Sequence, residues 1–99
     1  MTLENGYEMK TTFWMDFSIA DHFGAAAIKD TFKRAFEEWK TDYIYLTELV
    51  IVLNYKIWEN YQTNKEVAQL YNDLWEIADQ YAVDNLQGDE LSHFYRITD

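Results

Sequence analysis

Hydrophobic residues recur along this chain mainly at intervals of three and four positions, the spacing typical of amphipathic helices. The clearest case is the segment Ala25–Lys40, where charged residues occupy the faces that the apolar stripe leaves free. That stripe consists of Ile28, Phe32, Ala35, Phe36 and Trp39. The spacing predicts a surface helix over Ala25–Lys40.

A second helix is predicted over about Tyr43–Tyr61, with Thr41-Asp42 as its N-terminal cap. Apolar residues occupy nearly all of its faces, which is typical of a helix at the centre of a bundle or partly in an interface. The run Val50–Val52 has strand propensity, so a buried strand is the alternative. Its inward stripe is Leu46, Leu49, Val50, Leu53, Ile57 and Tyr61.

A third long helix is predicted from Thr63 to about Leu86. Thr63 and Glu66 have the spacing of a capping box, in which Thr63 is the N-cap. Gly88 is a suitable residue for the turn that follows the helix. The predicted inner face is Val67, Leu70, Leu74, Ile77, Ala78 and Tyr81.

Two shorter helices complete the prediction. Asp16 can cap a helix that ends at Phe23, with Ile19, Ala20 and Phe23 facing inward, and Asp89 can cap another over Glu90–Arg96. Residues 1–12 are polar and contain Gly6, so we predict a flexible N-terminal lead there. The sequence therefore predicts an all-α, compact single-domain helical bundle over residues 13–99, with three main helices and one or two short ones.

The amino-acid composition of the chain makes several classes of protein function less favoured. The 99 residues carry a net charge of −10, which disfavours direct binding to nucleic acid or to an anionic membrane. The absence of cysteine excludes a thiol nucleophile and a thiolate metal site, and fits a cytoplasmic protein. The most apolar run, Leu46–Leu53, is far shorter than the ~20 residues that span a bilayer.

The negative charge is concentrated in the last third of the chain, where Arg96 is the one base after Glu66. Regularly spaced carboxylates attract basic surfaces and can imitate a phosphate backbone. We therefore expect a basic-surfaced partner protein to bind there, while a merely solubilising surface is the alternative. The predicted partner-binding residues are Asp73, Glu76, Asp79, Asp84, Asp89 and Glu90.

A second hypothesis uses the surplus apolar surface of the Tyr43–Tyr61 helix. Ile51, Tyr55 and Trp58 lie outside its main stripe and could form a homodimer interface. Such a protein would be a self-associating structural bundle without an inhibitory role.

Motifs for catalysis are sparse. Glu90 and His93 have the spacing of half a di-iron ligand motif, and Glu48 is the best inward carboxylate to join them. A second half-motif is missing, so a metal-dependent bundle enzyme is the least favoured alternative, and we expect no metal, no cofactor and no enzymatic activity. Glu48 is instead expected to reach an exposed edge or to pair with a base such as Lys29 or Arg34.

Three stretches, Phe13–Gly24, Leu46–Trp58 and Phe94–Asp99, together resemble a family of small proteins of unknown function encoded in phages and mobile elements of gut-type bacteria. The resemblance covers most of the chain from about Phe13 and attaches no catalytic or ligand-binding residue. It implies a short accessory protein of the bacterial cytoplasm, of a kind that can disarm host machinery. The resulting expectation is a non-enzymatic interaction protein, with inhibition of a host nucleic-acid-handling or defence protein as its role.

Overall fold

Five α-helices follow one another along residues 2–98, the part of the chain that the structure, a computed structural model, describes. This all-α bundle is the predicted fold class. The segment Val50–Val52 is helical, so the strand alternative is wrong. The helices are α1 Phe13–Asp21, α2 Ala25–Trp39, α3 Tyr43–Asn60, α4 Lys65–Asn85 and α5 Asp89–Thr98.

Helix α3 is the centre of the bundle and packs against each of the other four helices. Every residue from Leu46 to Leu53 is buried, including Thr47 and Glu48. Burial on all sides explains why apolar residues surround this helix instead of forming one stripe. The apolar faces of this helix were predicted to mean either a central position or a partial interface, and a central position is the one observed.

The helix boundaries follow local signals closely. Helix α3 begins as predicted after Asp42, whose side chain accepts hydrogen bonds from the backbone N–H groups of Ile44 and Tyr45. Helix α4 is instead capped by Asn64, which accepts from the N–H of Val67 at 3.2 Å, so the prediction of Thr63 as N-cap is wrong by one residue. None of the helices within residues 2–98 has the length and apolarity to cross a membrane.

Helix α1 differs most from its prediction. It begins at Phe13, not after Asp16, and its buried residues are Phe13, Phe17 and Ala20. Ile19 is 53% exposed and Phe23, beyond the helix end, is 77% exposed, so their predicted inward orientation is wrong. Ile77 on α4 and Tyr61, just beyond α3, are likewise half exposed, so their predicted inward orientation is wrong as well. A folded surface retains many apolar residues, and tertiary packing decides which of them remain outside.

A buried ion pair joins α1 to α3. The Lys56 ammonium on α3 is 1% exposed and lies 2.8 Å from the Asp21 carboxylate at the end of α1. It also donates to the Ser18 hydroxyl at 3.1 Å and lies 4.5 Å from the centre of the Trp14 ring. A buried ammonium is costly unless it is paired and hydrogen-bonded, and these contacts meet that requirement.

The Asp21 carboxylate also binds α4. The Tyr71 hydroxyl on α4 donates a hydrogen bond to the other Asp21 oxygen, and the Tyr71 ring packs edge-on against Phe17 at 5.9 Å. Burial, reinforced by the hydrogen bond to Asp21, raises the pKa of Tyr71 well above its usual value. The hydroxyl therefore stays protonated and remains a donor. Asp21 thus fixes α1 to both α3 and α4.

We predict that Asp21→Asn destabilises the protein far more than Lys56→Met does. The first change leaves a fully buried ammonium without its main partner, at a cost of about 3–5 kcal/mol. The second leaves a carboxylate that is 27% exposed and still bound to Tyr71, so it can regain water. Urea unfolding of both variants and of the double variant measures the difference. If the double variant is as unstable as Asp21→Asn alone, the unpaired ammonium is not the cause.

Candidate functional site

Glu48 on α3 is fully buried and binds the segment that precedes α1. Its carboxylate accepts a hydrogen bond from the Tyr7 hydroxyl at 2.8 Å. It also accepts from the backbone N–H of Lys10, at 2.9 and 3.0 Å to its two oxygens, and from the N–H of Thr11 at 2.9 Å. Three donors therefore compensate the burial of this charge. Burial, together with Glu48, raises the pKa of Tyr7 above its usual value, so its hydroxyl stays a donor.

The expectation that Glu48 pairs with Lys29 or Arg34, or reaches an exposed edge, is wrong. Arg34 pairs instead with Asp30 on the exposed side of α2, at 3.0 Å. The backbone donors of residues 10 and 11 are present in any sequence, so the sequence carries no sign of them. A partner nearly forty positions away along the chain can be recognised only from the fold.

The segment before α1 makes a tight turn and packs on the bundle. Gly6, at a φ of +87°, donates its N–H to the carbonyl of Leu3, and Leu3 donates to the carbonyl of Tyr7. Leu3 is buried. Tyr7, Lys10 and Thr11 therefore attach this segment to the helical domain. The boundary at residue 13 and the flexibility of the segment stay predictions.

His93 on α5 lies beside this buried carboxylate but is not joined by a second acid. Its ring packs edge-on against Tyr43 at 5.4 Å and near Tyr7 at 6.3 Å. Burial lowers the pKa of His93, and the Arg96 and Lys10 charges lower it further. Glu90 is exposed, while the Glu48 oxygens are already hydrogen-bonded. Within residues 2–98, no group of three or more His, Asp or Glu side chains is arranged to hold a metal ion.

Most of the predicted partner-binding carboxylates lie on the outside of the bundle. Asp73, Glu76 and Asp84 are exposed on α4, and Asp89 and Glu90 are exposed in the first turn of α5. We call the first three the outer acidic face. Asp73 and Asp84 are eleven residues apart, which corresponds to ~16 Å along the helix axis and nearly the same direction around it.

Each carboxylate of the outer acidic face accepts a hydrogen bond from an amide side chain four residues earlier on α4. A basic residue at that position would have formed an ion pair instead. Gln69 donates to Asp73 at 2.9 Å, and Gln80 donates to Asp84 at 2.8 Å. Asn72 donates to Glu76 at 3.3 Å in the same way. Across residues 2–98, the ion pairs within 4 Å involve Asp30, Asp21 and Glu59, and none includes a carboxylate of α4 or α5. The outer acidic face is hydrogen-bonded to neutral side chains and takes part in no ion pair within residues 2–98.

Asp79 does not belong to the outer acidic face. It is half-buried and lines a cleft of about 380 Å³ beside α3, together with Tyr55 and Trp75. Burial alone raises the pKa of this carboxyl above its usual value. Its prediction as a partner-binding residue followed from the acidic last third of the chain, whereas the helical spacing sets Asp79 about 120° from Asp73 around α4.

The three residues predicted for self-association differ in how exposed they are. Ile51 is buried, and Tyr55 is half-buried with its ring edge-on to Trp14 at 6.3 Å, so neither offers the exposed surface expected of them. Trp58 is 65% exposed and lies 5.6 Å from the ring of Tyr61, which is also exposed. One of the three residues is thus available to a partner.

Comparison of the chain with protein-family models, with curated proteins and with solved structures gives no match. The class that the fold defines is that of a small all-α bundle with an uncompensated acidic surface. Function therefore has to be inferred from these surfaces and clefts.

We predict that Glu48→Gln lowers the free energy of unfolding by about 2 kcal/mol, because an amide replaces a charged acceptor that binds three donors. It should also speed hydrogen exchange at the amides of Lys10 and Thr11. Urea unfolding and amide exchange followed by NMR measure the two effects. The matched control is Glu37→Gln, an exposed change on α2 that should alter neither quantity. Unchanged exchange at both amides would mean that Glu48 does not hold the segment.

Proposed function

We propose that this chain is a non-enzymatic interaction protein that binds a basic surface of another protein through the outer acidic face, with Asp89 and Glu90 extending that face. The observation that carries the proposal is the absence, within residues 2–98, of any ion pair to the carboxylates of α4 and α5. Charge left uncompensated on one side of a small domain creates a potential that attracts cationic surfaces and speeds encounter.

The geometry suits a cleft that normally holds nucleic acid. The outer acidic face runs ~16 Å along α4, comparable with about five base-pair steps of 3.4 Å. A cleft that binds phosphates through charge can accept carboxylates spaced along such a rod. The proposed role is inhibition of a host nucleic-acid-handling or defence protein. The proposed source is a phage or mobile element and the proposed location the bacterial cytoplasm, as the resemblance implies.

A homodimer is the second candidate, and it is favoured by one observation. Trp58 and Tyr61 form an exposed aromatic pair near the end of α3, the kind of residue that is enriched in interfaces. This surface is small and contains one of the three residues predicted for it, so we place it second. A dimer would show a mass twice the monomer's 11.9 kDa in light scattering.

The decisive test is capture from bacterial lysate by three forms of the tagged protein. The triple variant Asp73→Lys, Glu76→Lys, Asp84→Lys should lose a partner that the unchanged protein retains at low salt and releases at ~0.5 M salt, where exposed charges are screened. Double-stranded DNA should displace the partner from the unchanged protein. Circular dichroism of each variant checks that the helices are intact.

The matched control reverses three exposed acids elsewhere, Glu8→Lys, Glu37→Lys and Glu38→Lys, and changes the net charge by the same amount. It should retain the partner, which separates a local surface from a general charge effect. Equal loss in both triple variants, or equal retention, contradicts the proposal. Recovery of the bait alone, with a dimeric mass, favours the homodimer.

A further inference from the structure

The cleft that contains Asp79 is built by four separate parts of the chain. Trp75 and Asp79 are one helical turn apart on α4, and Tyr55 and Asn54 face them from α3. Tyr95 of α5 and Glu4 of the segment before α1 also line it. Buried side chains, among them Ile51, form its apolar floor. The cleft thus combines aromatic walls with two carboxylates.

The cleft lacks a cation of its own. None of the lysine and arginine side chains of residues 2–98 is among the residues that line it. Arg96, on the adjoining helix, has its guanidinium 3.2 Å from Nδ1 of His93 instead. Asp79 takes part in no ion pair or side-chain hydrogen bond within residues 2–98, although burial raises its pKa. The fold has placed a carboxylate in partly dehydrated surroundings without compensating it.

We propose that this cleft binds a guanidinium group, which pairs with the Asp79 carboxylate and stacks on the aromatic side chains of Trp75 and Tyr55. A guanidinium is planar, offers parallel donors to a carboxylate and stacks on aromatic faces, and it is less strongly hydrated than an ammonium. These properties match a half-buried acid in a cleft that aromatic side chains also line. The inference rests on the proposed function only for the source of the cation, which is an arginine side chain of the partner.

The direct test titrates the protein with N-acetyl-L-arginine amide, whose one charge is the guanidinium. Two-dimensional ¹H–¹⁵N NMR follows the indole signal of Trp75, assigned with Trp75→Phe. We expect that signal to shift and saturate with a dissociation constant on the order of 1 mM, as for one charge-assisted contact with aromatic stacking. The neutral citrulline analogue, equal in shape, should shift it at least ~10-fold less effectively.

Two variants locate the site. Asp79→Asn should weaken binding by ~10-fold or more while the protein stays folded, because the change removes a charge that the fold already disfavours. Glu66→Gln, which removes one exposed charge from the same helix at a position outside the outer acidic face, should leave binding unchanged. Equal binding of the citrulline analogue, retained binding in Asp79→Asn, or equal weakening in Glu66→Gln would each overturn the inference.

A competition experiment identifies the source of the cation. If N-acetyl-L-arginine amide releases the partner captured by the unchanged protein, the cleft receives an arginine of that partner. If the compound binds without releasing it, the ligand is a free guanidinium compound. Failure of guanidinium binding while the outer acidic face still captures a partner overturns this inference alone. Guanidinium binding without capture of any partner overturns the proposed function alone.

Discussion

The burial of α3 on every side is the constraint on which the rest of the structure depends. An apolar central helix needs no partner chemistry, but this one carries Glu48 and Lys56 at fully buried positions. Each charge would be costly without hydrogen-bonding partners. The segment before α1 supplies donors to Glu48, and Asp21 at the end of α1 supplies the counter-charge for Lys56. The two buried charges therefore determine where the first fifth of the chain must lie.

This arrangement links distant parts of the fold. Glu48 and Lys56 are eight residues apart, or about 12 Å along the helix axis, so they hold the N-terminal region at two separate points. Asp21 also accepts from Tyr71, which extends the second point to α4. Such networks are worth more when complete than their separate bonds suggest, because partial satisfaction leaves a buried polar group. Glu4, which lines the cleft that contains Asp79, belongs to the segment that Glu48 binds.

Local features of the sequence were sufficient for the helices but not for the site. Asp42 caps α3 through contacts within three residues, and such signals are visible in the sequence. Helix α1 has nine residues, too few turns for its spacing to define a face, so Ile19 was placed inside wrongly. Lys56 could have been recognised, because it lies seven residues after Leu49 and three after Leu53, on their buried stripe. The partners of Glu48 and the cover over Asp79 come from remote segments, which no spacing rule reveals.

The contrast between inner and outer charges bears on function. Inside the bundle both charged residues of α3 are compensated, whereas on α4 the acids are left without bases. A lysine at the positions of Gln69, Asn72 and Gln80 would have formed a helix-stabilising pair with the acid four residues later. The hydrogen bond between amide and carboxylate that is found there stabilises a helix by a similar amount, about 0.3 kcal/mol. The amides therefore support α4 while adding no positive charge to the outer acidic face. A surface whose acids form no ion pair within residues 2–98 agrees with the cationic partner that we propose.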